Sequence, residues 1–381
     1  MSDQDAAAPT RREALTAAGT AAALGLTGCS DLVNGSASER HTGTRSQPYS
    51  VTIPPAGEVT FESVPDIWVA ENASWADMGV ALGVGKPSAV VLTGEYRTWP
   101  YDDIPGLSTS KDGITSLWQD GITRERFYDI DAGVHFIDPN YMTNLIPNWN
   151  REDVDNVSQN VAPLCGNTSF STYSWHDSYP YLSLYEATEK VAQVFQRTAR
   201  FDALRTLHDD TIAAIQDRLP PERDRPEIAL LSPGSTEPEQ FYPYRLGDRT
   251  AYKHWRDLGV RDALAGSDIQ SFTSDRGSID YEPLLDIDPE VLMFYTDRYR
   301  TASDFRDTYL SFMREHSTAS RLSAVQTGDV YPAGGMYQGP ILNLSKTERA
   351  ATQLFPDEFD RSEELFDRQR VADIVNGDTD P

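Results

Sequence analysis

One short unit is written twice in this chain. Residues 122–134 read ITRERFYDIDAGV and residues 279–291 read IDYEPLLDIDPEV, so that Ile, Glu, Asp-Ile-Asp and Val recur at the same spacing. A junction repeated so far along a chain of 381 residues implies two similar lobes rather than one continuous core. The surrounding pattern agrees. In the first half the apolar runs IWVA (67–70), AVVL (89–92) and VHFI (134–137) alternate with helical segments. One of these, WADMGVALG, is capped by Asn72 or Ser74 and stopped by Gly83; another is expected over Thr123–Tyr128. In the second half IALL (228–231) and VLMFY (291–295) alternate with helices expected over Ala251–Leu258, Tyr281–Leu285, Ser303–Glu315 and Leu342–Leu354, and a short strand is expected over Asp329–Tyr331. Alternation of this kind predicts parallel-type sheets covered by helices.

Between the halves, residues 183–219 hold apolar residues at helical spacing. They open with a Ser183/Glu186 capping box and stop at Pro220-Pro221. One helix of that length would span roughly 50 Å, a strut between two lobes, with room for a kink near Thr198–Phe201. The expected fold is α/β: two similar lobes with parallel-type sheets joined by one long α-helix.

The amino terminus points to export. Arg11-Arg12 precede an Ala-rich run that is shorter than the about 20 apolar residues of a membrane span, and the run ends Leu26-Thr27-Gly28-Cys29. This is the plan of a twin-arginine secretory signal with a lipobox, in which Cys29 becomes the lipidated residue. The expected division is a signal peptide over 1–28, a flexible tether over 29–50, an N-terminal lobe over 51–182, the linking helix over 183–219, a C-terminal lobe over 220–360 and an acidic polar tail over 361–381. The folded body is then leashed by lipid to the extracellular face of the cell membrane.

The formal charge is −26, and only five residues are lysine. Such a surface repels nucleic acid. It suits very high salt, where screening over about 3 Å removes self-repulsion. Neither cysteine sits in a metal spacing, and Cys165 reads as a buried thiol. The six histidines form no metal-binding pair, there is no GxSxG or phosphate loop, and no cofactor is expected. His176-Asp177 beside a Ser-rich loop is the best sign of an alternative, a lipid-anchored hydrolase; a surface adhesion or scaffold protein is a third reading. The loops after the strands are rich in aromatics and arginine. They carry Tyr96, Arg97 and Trp99; Tyr141; Trp175; Tyr244 and Arg245; Arg276; Tyr295, Arg298 and Tyr299; and Met336 with Tyr337.

The stretch VAENASWADMGVALGV, the two Glu-containing repeats, the long helix, DPEVLMF and AVQTGDVYPAGGMYQGPILNL together resemble the substrate-binding lipoproteins of ABC importers for ferric siderophores and vitamin B12, over about residues 55–358. The resemblance implies a ligand cleft between the lobes and no catalysis. It implies an iron-chelate ligand, with cobalamin or haem as the alternative, and a monomer that docks on a permease dimer with its ATPase subunits. The expected ligand-binding set is Asn72, Tyr96, Trp99, Tyr141, Trp175, Tyr244, Arg245, Arg276, Tyr295, Met336 and Tyr337; of these, the resemblance implies Tyr141 and the Met336-Tyr337 pair as pocket aromatics, and the aromatic, arginine-bearing loops suggest the rest. Glu125 and Glu282, the shared Glu of the two repeats, would dock on the permease. Where the family's hydroxamate binder has an arginine after a Gly-Leu pair, this chain has Ser108.

Overall fold

The computed structural model describes residues 47–118, 121–296 and 302–378; the expected signal peptide, Cys29, most of the tether, Arg298 and Tyr299 lie outside them. The described part opens with an antiparallel hairpin, β1 (Tyr49–Ile53) and β2 (Gly57–Phe61), in which Tyr49 pairs with Phe61. Its alternating side chains put Val51, Ile53, Val59 and Phe61 into the core. The folded body therefore starts two residues earlier than the tether boundary allowed.

The N-terminal sheet is all parallel, in the order β5 (Thr115–Ser116), β4 (Ala89–Val90), β3 (Trp68–Ala70), β6 (Val134–Phe136). Every residue of β3, β4 and β6 is buried, which is why these strands read as unbroken apolar runs. Helices α1 (Ala73–Ala81), α2 (Arg124–Ile130), α3 (Pro139–Leu145) and α4 (Arg151–Asn160) complete the lobe. Cys165 is a buried free thiol, as expected.

The expected single strut is two helices, α5 (Leu184–Val194) and α6 (Thr198–Gln216). The break lies just before the expected kink. Gln196 takes a left-handed φ of 53°, while Phe195 buries against Trp68 and Phe136. The Ser183/Glu186 capping box is present.

The C-terminal lobe holds β7 (Glu227–Pro233), β8 (Phe241–Tyr244), α7 (Lys253–Asp257), β9 (Arg261–Asp262), α8 (Phe272–Asp275), α9 (Tyr281–Ile287) and β10 (Val291–Tyr295). It continues with α10 (Ala302–Phe305), α11 (Ser311–Glu315), α12 (Ser323–Thr327), β11 (Val330–Gly334) and α13 (Pro340–Leu354). The strand order is β11-β10-β7-β8, with β9 also beside β7; all pairs are parallel except β7 with β8. The repeated unit has one structure in both lobes. Helices α2 and α9 each carry their Glu in the first turn and end on a left-handed Asp, Asp131 (φ 50°) and Asp288 (φ 46°), before entering β6 and β10.

The acidic polar tail is a correction. Residues 361–378 are not a loose tail: Phe366 is buried, and α14 (Arg368–Asn376) inserts Val371, Ala372, Ile374 and Val375 into the same core as β1, α1 and α5. Phe355 and Phe359 belong to the C-terminal core, so the segment runs from one lobe back to the other. Arg218 pairs with Glu363, and Arg368 with Glu348, along the way. Helix α13 is a further join. The Gln338 N–H donates to Ser74 Oγ at 3.0 Å, and the buried Asp77 of α1 accepts from the Leu342 N–H at 3.1 Å and from the Tyr101 hydroxyl at 2.7 Å. A side chain at Gly339 would collide with Asp77, 2.6 Å from its Oδ2.

Candidate functional site

In open parallel sheets, the carboxyl ends of the strands are where ligands sit. Here those ends meet around one cleft. Leu92, Glu95 and Arg97, from the loop after β4, face Ser232–Ser235 at the end of β7, Tyr244 of β8, Tyr295 of β10 and Met336-Tyr337 after β11. The space is about 1080 Å³, counting its open mouth. Tyr244 and Tyr295 meet edge to face at 5.0 Å. Tyr337 packs on Phe170 at 4.9 Å.

Tyr141 and Tyr173 adjoin this cleft beside Tyr337. Burial raises all three hydroxyls above the ordinary tyrosine value, and each is raised further by the nearby charge of Glu71. Arg276 acts in the opposite direction on Tyr141, Tyr173 and Tyr244. Its guanidinium lies 5.2 Å from the Phe272 ring centre and 5.9 Å from that of Tyr173. At neutral pH the wall therefore presents protonated tyrosyl O–H donors and an arginine, chemistry suited to an oxygen-rich acceptor.

Beneath it lie two fully buried carboxyl groups. Glu71, after β3, accepts from the Asp138 N–H and from Asn72 Nδ2, each at 3.1 Å. Asp138, after β6, accepts from the Thr168 hydroxyl at 2.7 Å, the Asn140 N–H at 2.8 Å, the Thr168 N–H at 3.2 Å and the Tyr179 hydroxyl. Burial pushes both carboxyls up, and the Asp138 charge pushes Glu71 further. These groups are closed in by their own hydrogen bonds. Among the described residues, no cluster of three or more His, Cys, Asp or Glu is placed to hold a metal ion.

The residues expected at the site divide. Tyr244, Tyr295, Met336 and Tyr337 line the cleft, with Tyr141 and Arg276 next to it. Trp175 stacks on Tyr173 at 5.6 Å. Trp99 lines an adjoining space of about 830 Å³ between the loop after β4 and α13. Three residues leave the set. Asn72 is buried, and its carboxamide oxygen caps α1 through the Ser74 N–H at 2.9 Å. Tyr96 is buried in the N-terminal core, its hydroxyl pushed up to about 12 by burial. Arg245 points toward β9, donating to the Ala265 carbonyl at 3.0 Å with Asp262 at 3.9 Å. Glu71, Asp138, Lys346 and Arg349 escaped the sequence reading; only the scarcity of lysine singles out Lys346.

His176 sits in an aromatic cluster with Tyr179 and Tyr181. Burial, then the Arg249 charge, lowers it to about 4, so it is neutral. Its Nδ1 meets the Tyr181 hydroxyl at 2.7 Å, and the ring stacks on Tyr179 at 4.2 Å. Glu125 and Glu282 are exposed on the first turns of α2 and α9.

Comparison with known proteins supplies the remaining constraint. Residues 150–335 match the family described as periplasmic binding protein. A periplasmic binding protein from Veillonella parvula shares the fold at a TM-score of 0.58 and 14% identity, over 81% of this chain and 98% of that one. An ABC-type Fe³⁺-hydroxamate transport protein from Saccharomonospora viridis does so at 0.53 and 17%, over 81% and 100%. A siderophore-binding protein from Vibrio cholerae, solved with Fe³⁺-Desferal, does so at 0.51 and 13%, over 77% and 98%. No curated protein matches the chain. Among the described residues, no helix is long and apolar enough to cross a membrane. With its two parallel-sheet lobes meeting at one cleft, this chain shares the fold of these binding proteins, and its residues 150–335 match the periplasmic binding protein model.

Proposed function

We propose that the protein captures a ferric chelate in the interlobe cleft and hands it to an ABC permease, without catalysis of its own. The supporting observation is the cleft wall: protonated tyrosyl hydroxyls and an arginine, contributed by both lobes, with no cluster of metal ligands among the described residues. That wall recognises the oxygen surface of a chelator rather than bare iron. The fold is shared with the Fe³⁺-hydroxamate and Fe³⁺-Desferal proteins, which accords with this reading. The twin-arginine signal, lipidation at Cys29, a monomeric state and a place on the outer face of the membrane complete the proposal. The test is tryptophan quenching by ferric chelates, weakly complexed Fe³⁺, cobalamin and haemin. Saturable binding of a ferric chelate, without uptake of weakly complexed iron, is expected. Binding of cobalamin or haemin alone overturns the assignment of cargo, and tight uptake of weakly complexed iron overturns the chelate mode.

A further inference from the structure

The adjoining space that Trp99 lines opens off the cleft and shares Glu95, Arg97 and Tyr337 with it. Its other wall is one face of α13. Leu342, Lys346 and Arg349 follow helical spacing and all face it. Three carboxylates also border the space: Glu95, Asp103 and Glu348. Glu348 is held by Arg368, through bonds of 2.6 and 3.2 Å, so those two charges cancel. Arg97, Lys346 and Arg349 thus border the same space as Glu95 and Asp103, three cations brought together in a chain of net charge −26.

The cations are placed rather than scattered. Lys346 Nζ donates to the Tyr337 carbonyl at 2.8 Å and to the Gly335 carbonyl, which fixes the ammonium at the throat between annex and cleft. The Arg349 guanidinium lies 5.7 Å from the Trp99 ring centre. Arg97 Nε and the Trp99 indole N–H are both buried donors without a hydrogen-bond partner. Such donors are costly to leave unmet, and a carboxylate, with two acceptor oxygens in one plane, answers them through charge-assisted bonds. The enclosed position screens these contacts from salt less than surface pairs are screened.

Resting on the ferric-chelate reading above, we infer that the cargo is an anionic chelate that keeps a free carboxylate arm, and that this arm lies in the annex between Arg97, Trp99, Lys346 and Arg349. Wild-type protein, Arg97→Gln and Arg349→Gln are titrated in molar salt by tryptophan fluorescence. The probes are ferric citrate, rich in carboxylate, ferric desferrioxamine B, which has none, and cyanocobalamin, whose only anionic group is a phosphodiester. Thermal melts confirm that each variant is folded. The wild type is expected to prefer ferric citrate over ferric desferrioxamine by about tenfold or more, and either substitution should shrink that preference to within about threefold, the loss of a hydrogen bond to a charged group. Equal binding of the two ferric chelates, unchanged in ratio by both substitutions, overturns the carboxylate arm and leaves the ferric-chelate reading standing. Binding of cyanocobalamin with neither ferric chelate overturns that reading, and the inference with it.

Discussion

Asp77 shows how one buried group can couple two parts of a fold. Burial raises its carboxyl to about 7, outweighing the Tyr101 hydroxyl, the Leu342 and Ile341 N–H groups and the Lys346 charge, which all act to lower it. The sign follows from linkage. The folded protein keeps a proton that the unfolded chain, with a value near 3.8, releases. This group's contribution to stability is complete below pH 3.8 and is lost as pH rises through 7. Asp77→Asn should therefore flatten the fall in melting temperature between pH 5 and pH 8, an effect of at most roughly 4 kcal/mol. Wild-type and variant curves that stay parallel over that range would contradict it. At this scale the sequence was partly legible. Tyr141 and Tyr337 stand at or beside the cleft, whereas Asn72, Tyr96 and Arg245 turn away from it. Being placed after a strand marks a residue as near the site; the direction in which its side chain leaves the loop depends on partners far along the chain, such as Asp262 for Arg245.

Among the elements, the strands buried on both faces announced themselves, and the edge elements did not. FYPY falls among the loops after the strands in the sequence, yet it forms β8, which ends the strand order, where its Pro243 is tolerated. Helix α14 was hidden by its acidic neighbours, although Val371, Ile374 and Val375 keep helical spacing. Its packing gives a direct expectation: Ile374→Ala should cost about 2–5 kcal/mol, read as a shift of the urea midpoint, whereas a surface tail would tolerate it. The paired helices α2 and α9 support a second expectation. Their exposed first-turn glutamates are equivalent in the two lobes, as docking on a two-fold permease would need. Glu125→Arg with Glu282→Arg should leave ligand affinity in solution unchanged and abolish uptake through the permease. Transport at the wild-type rate would reduce both residues to helix-start carboxylates.

For the whole molecule, net charge gives the expectation to test. With −26 formal charges, lowering ionic strength to about 0.01 M extends the screening length to about 30 Å, and acidic groups then repel across the entire body. Melting temperature should rise steeply from dilute buffer to molar salt, and a flat dependence would argue against adaptation to brine. The two-lobed plan itself was legible because the repeated unit is a local motif with one local structure. The route of the chain between the lobes was not, since it is decided by which core Phe366 and α14 enter. That route has a consequence for how the protein is made. The chain leaves the N-terminal lobe through α6, builds all of the C-terminal lobe, and only then supplies α14 to the first lobe's core. On the ribosome, the lobe begun first is thus completed last. Until the other lobe has been synthesised, the apolar surface that α14 covers lacks its native partner.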